Sequence, residues 1–336
     1  MTIKELRAAT RDGTTSEATV AAQVETLTRK ETAAGKPYYE LLLRDATGML
    51  TLRAWNDRPA FAACQQLVAG SFVKVSGTFA QGSFGLDAAN WSLELLSEEE
   101  TTTLLEGSPE EQAARETAYQ LILESVDRLQ DPRLRQLCEQ FLNQYGTRFH
   151  RAAAARNNHH ARRGGLLDHT ARMIQSAQAL LPVYPNLNAD LLITGILFHD
   201  VGKLWETCPP PQGFGIAPDL RGALMGHLSI GIEIVNALWR DLPKENWEKL
   251  EPSSEEVRLH LLHLIAAHHG QLEFGSPVLP KTPEAIALHL IDNLDARLEM
   301  FEEAYTKNQE TSPGIFEWSR PLAVSPVAPL KKFKKE

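Results

Sequence analysis

At 336 residues the chain exceeds the roughly 250–300 that one hydrophobic core usually organises, so two domains are expected. Its 43% hydrophobic and 23% charged residues are those of an ordinary globular protein, and no apolar run approaches the roughly 18 residues of a membrane span. A formal charge of −9 excludes a protein that coats nucleic acid by bulk electrostatics, although residues 146–165 hold five arginines (Arg148, Arg151, Arg156, Arg162, Arg163) and no acid.

The opening Met1-Thr2-Ile3-Lys4-Glu5-Leu6 has no apolar stretch of the kind a signal peptide needs, and Cys64, Cys138 and Cys208 are widely spaced with no CxxC pair. Reduced cytosolic thiols, and so a cytoplasmic protein, are expected. Over residues 14–96 the pattern is period two with turns between. Strands are expected at residues 18–25, 36–45, 49–55, 70–79 and 86–96, with a short helix at 59–68. Five strands with a helix after the third is the layout of an OB-fold barrel, with a β-sandwich fragment or SH3-like barrel as the alternatives.

Residues 97–112 are acidic and broken by Gly107 and Pro109, and read as a linker. Beyond them the strand signal ends. Residues 113–130 and 132–145 read as amphipathic helices, and helical patterning continues to about residue 305. The fold class is therefore an N-terminal all-β OB-fold barrel (14–96) followed by an all-α bundle (113–305). Residues 306–336, with their Lys331-Lys332-Phe333-Lys334-Lys335 end, read as an extended basic tail.

The bundle carries the chemistry. His169 stands in Gly164-Gly165-Leu166-Leu167-Asp168-His169, early in a helix over residues 165–181. Asp190 is a plausible N-cap for the next helix, which runs into Leu197-Phe198-His199-Asp200-Val201-Gly202-Lys203. Then come Gly226-His227, His268-His269-Gly270 and Ile291-Asp292-Asn293-Leu294-Asp295. An ionised aspartate after Ile196-Leu197-Phe198 is costly to bury unless paired or metal-bound. Neighbouring helical side chains diverge by about 100°, so His199 and Asp200 share an ion only at a helix end, which Gly202 supplies. Lys203 is on their face: it is either a solvated cation at a helix end or a phosphate partner with a catalytic role. His260, His263 and His289 sit in Leu-rich sequence and read as packed side chains.

The order H…HD…H…HH…D resembles the HD phosphohydrolase superfamily, which is the basis for reading the all-α half as an HD-domain bundle. With Asn158-His159-His160-Ala161-Arg162-Arg163-Gly164-Gly165, Gly226-His227-Leu228-Ser229-Ile230 and His268-His269-Gly270 followed by Gly275-Ser276-Pro277, it is similar to the YhaM-type 3′–5′ exoribonucleases. That resemblance covers about residues 14–305. It implies metal-dependent removal of nucleotides from the 3′ end of single-stranded RNA, and often of DNA. It implies His169, His199, Asp200 and Asp292 as a core metal site, and His227, His268 and His269 around a second ion, with Asp200 able to bridge. Two Mn²⁺ ions are expected, and the same donors suit Fe²⁺ or Zn²⁺. Cyclic-dinucleotide phosphodiesterases of the superfamily use an extra glutamate ligand that falls here on Gly165, so no third metal is expected.

His160, Arg162 and Arg163 read either as contacts to substrate phosphates or as a solvated turn. In the barrel Tyr38, Tyr39, Trp55, Phe79, Phe84 and Trp91 are candidates to stack on bases, with Arg53 and Lys74 as charges and Trp55 and Phe84 as the favoured exposed pair. The expected partners are single-stranded RNA and DNA, with no membrane and with self-association left open. Two rival readings stand: an HD-type nucleotidase or dNTP hydrolase, which needs no OB module, and a non-catalytic binder of single-stranded nucleic acid.

Overall fold

The computed structural model describes residues 1–10, 13–82, 85–155, 162–244 and 247–333. The chain divides into two compact units, Met1–Gln112 with Pro209–Gly215, and Ala113–Cys208 with Ile216–Glu336.

The first unit opens with α1 (Ile3–Ala9). A sheet follows, of β1 (Ser16–Glu31), β2 (Pro37–Arg44), β3 (Met49–Trp55), β4 (Phe72–Gly82) and β5 (Gly85–Leu95), with α2 (Pro59–Cys64) after the third strand. The order is β3-β2-β1-β4-β5, and every pairing is antiparallel. The long β1 pairs with β4 through residues 16–23 and with β2 through residues 23–31, bending at a bulge between Val24 and Thr26. The edge strands β3 and β5 approach each other, and α2 packs on both. This is the strand order and helix placement of the OB-fold expected from the sequence.

Alternation along the strands buries Val20, Ala22, Val24, Leu41, Leu43, Leu50, Leu52, Val73 and Val75 on one side. Gly77 sits where a side chain would strike the Cβ of Trp91, which lets that indole enter the core. Two features lie outside the expected boundaries. Helix α1, closed by a Thr2–Glu5 capping box, buries Ile3 and Leu6 in this core, and Asp45 accepts the Ile3 N–H at 2.7 Å. Phe214 also belongs to this unit: its N–H donates to Gln23 Oε1 at 2.9 Å, and its ring centroid lies 6.3 Å from that of Phe72.

The segment read as a linker is largely helical. It holds α3 (Glu98–Glu106) and the start of α4 (Pro109–Asp127). Ser97 and Glu100 form a capping box, and Ser108 and Glu111 exchange the same pair of bonds. Helix α3 has no buried residue; its capping box and the Lys74–Glu100 ion pair at 3.0 Å help to hold it.

The second unit contains α5 (Pro132–Phe149), α6 (Gly165–Leu180), α7 (Ala189–Phe198), α8 (Lys203–Glu206), α9 (Leu220–Asp241), α10 (Ser254–Ala267) and α11 (Pro283–Lys307). Every residue from 191 to 198 is buried, which makes α7 the central helix. At Gly195 an added Cβ would run into Leu264 and Leu288, so the glycine sets how closely α10 and α11 approach. The N-cap of α7 is Asn188, not Asp190. The Asp190 carboxylate instead accepts the N–H groups of Gln130 and Asp131 at 2.8 and 2.7 Å, tying the α4–α5 turn to α7.

The C-terminal segment is not wholly extended, as its composition led one to expect. A hairpin of β6 (Glu310–Ser312) and β7 (Ile315–Phe316) turns at Gly314, whose φ is 75°. Leu322 is buried and Tyr305 donates to the Val327 carbonyl at 2.9 Å. Among the described residues no helix is long and apolar enough to cross a membrane.

Candidate metal centre

Five helices and their ends bring the histidines and aspartates together. His169 is in the first turn and a half of α6, which starts just after Gly164 in the left-handed conformation, where a side chain would press on Arg115 and the His150 carbonyl. His199 is the C-cap of α7, and Asp200 follows as the chain leaves the helix. Gly202 lets that turn meet α9: an added Cβ there would overlap the backbone of His227. Gly226, at φ 67° and ψ 161°, breaks α9 just before His227 and so aims that side chain inward. His268 caps α10, His269 follows it, and Asp292 projects from α11.

Each of the five imidazoles is fixed through Nδ1. His199 and His268 donate to the carbonyls of Ile196 and Ile265, one turn back on their own helices, at 2.7 and 2.8 Å. His269 donates to the Phe274 carbonyl at 2.8 Å. His169 Nδ1 meets Asp295 Oδ2 at 2.7 Å, and His227 Nδ1 meets Glu206 Oε2 at 3.0 Å. Carbonyls only accept, so in the neutral rings of His199, His268 and His269 the lone pair resides on Nε2. Carboxylates at the other two impose the same tautomer.

The Nε2 atoms converge on Asp200. His199 Nε2 is 3.2 Å from Asp200 Oδ2, while His227 Nε2 and His268 Nε2 are 3.6 and 3.7 Å from Oδ1. His169 Nε2 lies 3.2 Å from Asp292 Oδ1. Three overlapping sets keep their donor atoms within 4.8 Å of one another: His169–His199–Asp200, His199–His268–Asp292 and His227–His268–His269. Among the described residues, His199 Nε2 and Asp200 Oδ1 are buried without a hydrogen-bond partner. Such atoms are costly unless something fills the space between them. A divalent cation suits donors of this kind, imidazole nitrogen and carboxylate oxygen, so the residues present fit the ions expected.

The electrostatics of Asp200, His268 and His269 point the same way. Burial raises the Asp200 carboxyl, but Lys203, His199 and His227 outweigh it and hold the group well below the usual carboxylate range. Burial, reinforced by His199, pushes His268 well below the ordinary imidazole value, and burial with His227 lowers His269. Both therefore stay neutral near pH 7, as ligands must be. His169 runs the other way: burial opposes its charge, but hydrogen bonds to Asp292 and Asp295 win and raise it to about 9.

All seven residues read as ligands thus lie in one cluster. Lys203 Nζ is 2.6 Å from Asp200 Oδ2 and largely buried, so its charge serves that carboxylate. The sequence reading missed Asp295 and Glu206. Asp295 falls one turn after Asp292 on α11, a spacing that was a usable signal; Glu206 had none.

The outlying candidates divide. The Arg162 guanidinium is committed to Asp168 at 2.6 Å and Glu299 at 3.3 Å, rather than presented as an open phosphate contact. Arg163 is half-buried, and burial together with Arg151 lowers its pKa. His160 and Phe84 lie outside the described residues. In the first unit Phe79 and Trp91 are core residues, and Tyr39 packs on Phe61. Trp55 remains 41% exposed, its ring centroid 4.8 Å from that of Tyr38. Arg53 and Lys74 pair with Glu40 and Glu100.

Residues 166–297 match the family model of the HD domain. The match spans every residue of the cluster and indicates a metal-dependent phosphohydrolase superfamily, whose HD domains bind divalent metals.

Proposed function

From an HD domain whose histidines converge on one buried carboxylate, we infer that this chain is a metal-dependent 3′–5′ exonuclease. It hydrolyses phosphodiester bonds of single-stranded RNA, and of single-stranded DNA, to nucleoside monophosphates. The observation that supports the reading most is Asp200, one buried carboxylate facing His199 through Oδ2 and both His227 and His268 through Oδ1. His169, His199, Asp200 and Asp292 would hold one ion and His227, His268 and His269 a second, with Asp200 serving both. Mn²⁺ is the ion expected, with Fe²⁺ and Zn²⁺ as alternatives for the same donors. When bound, such a pair supplies a hydroxide near neutral pH and neutralises charge on a phosphate undergoing in-line displacement.

The chain's own groups have separate tasks. Lys203 keeps Asp200 ionised and places a cation beside the phosphate. Asp295 and Glu206 hold His169 and His227 in the tautomer that presents Nε2. On the first unit the exposed Trp55, with the half-buried Tyr38 ring beside it, is a surface for stacked bases, which grips a strand without reading its sequence. The 3′ polarity rests on the resemblance to YhaM-type enzymes.

The test uses purified protein with Mn²⁺. A 5′-labelled single strand should shorten in single-nucleotide steps, and circular or 3′-phosphorylated strands should be degraded poorly. Efficient cutting of circles would overturn the exonuclease while leaving a phosphodiesterase. Intact oligomers alongside consumed mononucleotides would favour the nucleotidase.

A further inference from the structure

The Gly275-Ser276-Pro277 motif and the turn before it supply no side-chain donor to the metal cluster, yet they are tied closely to it. Leu272–Phe274 form a 3₁₀ turn closed by Gly275, whose N–H donates to the Leu272 carbonyl at 2.9 Å and whose φ is 86°. Buried Ser276 pins the turn to the end of α10: its hydroxyl lies 3.0 Å from the Ala266 carbonyl oxygen and 2.7 Å from that of Val278, with one proton to share between them. The Phe274 carbonyl in turn orients His269, whose Nε2 lies 3.1 Å from that of His227. The backbone of Phe274 is therefore one imidazole ring away from the donor atoms.

Its side chain does something else. Phe274 is 56% exposed, as is Leu272. Met225, two residues before His227, is also exposed, so both segments that carry these facing histidines present apolar side chains to solvent. A large apolar side chain on a hydrogen-bonded turn beside polar donors offers a surface for a ligand that carries both characters. A nucleotide has the matching form, a phosphate for the metal side and a flat apolar face for the ring.

We propose that Phe274 is the base platform of this site, stacking on the nucleobase of the nucleotide whose phosphate lies at the His227–His269 pair. The inference rests on the nuclease reading and specifies how the substrate's last nucleotide is held. Stacking on an aromatic ring accepts any base, so the platform favours nucleotides over other phosphodiesters without selecting sequence.

The full chain with Mn²⁺ is assayed on two labelled oligonucleotides that differ only in an abasic 3′-terminal nucleotide. Phe274→Ala should raise KM about tenfold on the normal strand, the scale of one base stacked on one ring, with kcat little changed. It should leave KM on the abasic strand and Mn²⁺ affinity unchanged, and Phe274→Tyr should restore the wild-type KM. Equal losses on both strands, or a fall in Mn²⁺ affinity, would make the side chain structural and overturn the platform. No change on either strand, or a change in oligomeric state alone, would also overturn it. Wild-type protein that cleaves both strands with equal KM refutes only the platform. Wild-type protein that cleaves neither refutes the nuclease reading and the platform with it.

Discussion

Asp295 touches no proposed ion, yet its loss should loosen the metal centre by a calculable amount. Its Oδ2 meets His169 Nδ1 at 2.7 Å, and His169 is fully buried, so no water replaces a lost acceptor. A hydrogen bond to a charged group contributes about 1.5–3 kcal/mol net. That corresponds to roughly 10- to 150-fold in an equilibrium constant, which agrees with the roughly 10- to 100-fold effect of altering groups that orient metal ligands. Asp295→Ala removes both the acceptor and the charge, and should weaken Mn²⁺ binding by the full amount. Asp295→Asn keeps an oxygen in place and should fall between it and wild type. Competition with a fluorescent chelator measures the affinities, and circular dichroism verifies that the helices persist. An Asp295→Ala variant that binds Mn²⁺ within about twofold of wild type would refute the reasoning that this carboxylate sets the His169 tautomer.

Three other perturbations test separate parts of the account. Gly202→Ala drives a methyl group into the His227 backbone and should cost about 1–3 kcal/mol in a urea melt, with metal affinity falling alongside; unchanged stability would contradict the close approach. Trp55→Ala should weaken binding of single-stranded RNA by about 1–3 kcal/mol in a fluorescence titration while leaving Mn²⁺ affinity alone; equal affinity for RNA would remove the indole from the binding surface. For Asp131, burial raises the carboxyl, but hydrogen bonds from the Arg133 side chain and backbone prevail and its folded pKa is lowered. Its stabilising contribution is therefore present above the unfolded carboxyl value of about 3.9 and lost as pH falls through the lower folded value. The stability deficit of Asp131→Asn, measured by urea melts, should be fully developed near about pH 6 and shrink below about pH 4; a deficit independent of pH would contradict the assignment.

The parts of this molecule visible in the sequence are those that local pattern dictates. Alternating apolar residues gave the strands, because a sheet with one buried face repeats every two residues. His199-Asp200 announced itself because a charged pair after Ile196-Leu197-Phe198 has no inexpensive place in a core without a partner. Phe79 shares the parity of buried Val73 and Val75, so its place in the core is legible in the sequence.

What escaped depended on three-dimensional partners or on weak local signals. Helix α1 buries only Ile3 and Leu6, too few for a periodicity to emerge. The capping boxes at Ser97–Glu100 and Ser108–Glu111 lay in an acidic stretch whose Gly107 and Pro109 masked them. Asp190 and Asn188 both suit an N-cap, and the choice was settled by the α4–α5 turn, whose amides recruit Asp190. Arg162 stands in an acid-free run of the sequence, but Glu299, 137 residues away, answers its charge in the fold.

The central claim is that phosphodiester hydrolysis depends on ions held around Asp200. Chelator-stripped protein should be given Mn²⁺ one equivalent at a time while cleavage of a labelled single-stranded RNA is followed, for wild type and for Asp200→Asn side by side. Full turnover in the wild type only after the second equivalent, with none in the variant at any Mn²⁺ level, is the outcome expected. Turnover by the stripped wild type, or near-normal turnover by Asp200→Asn, would contradict the account.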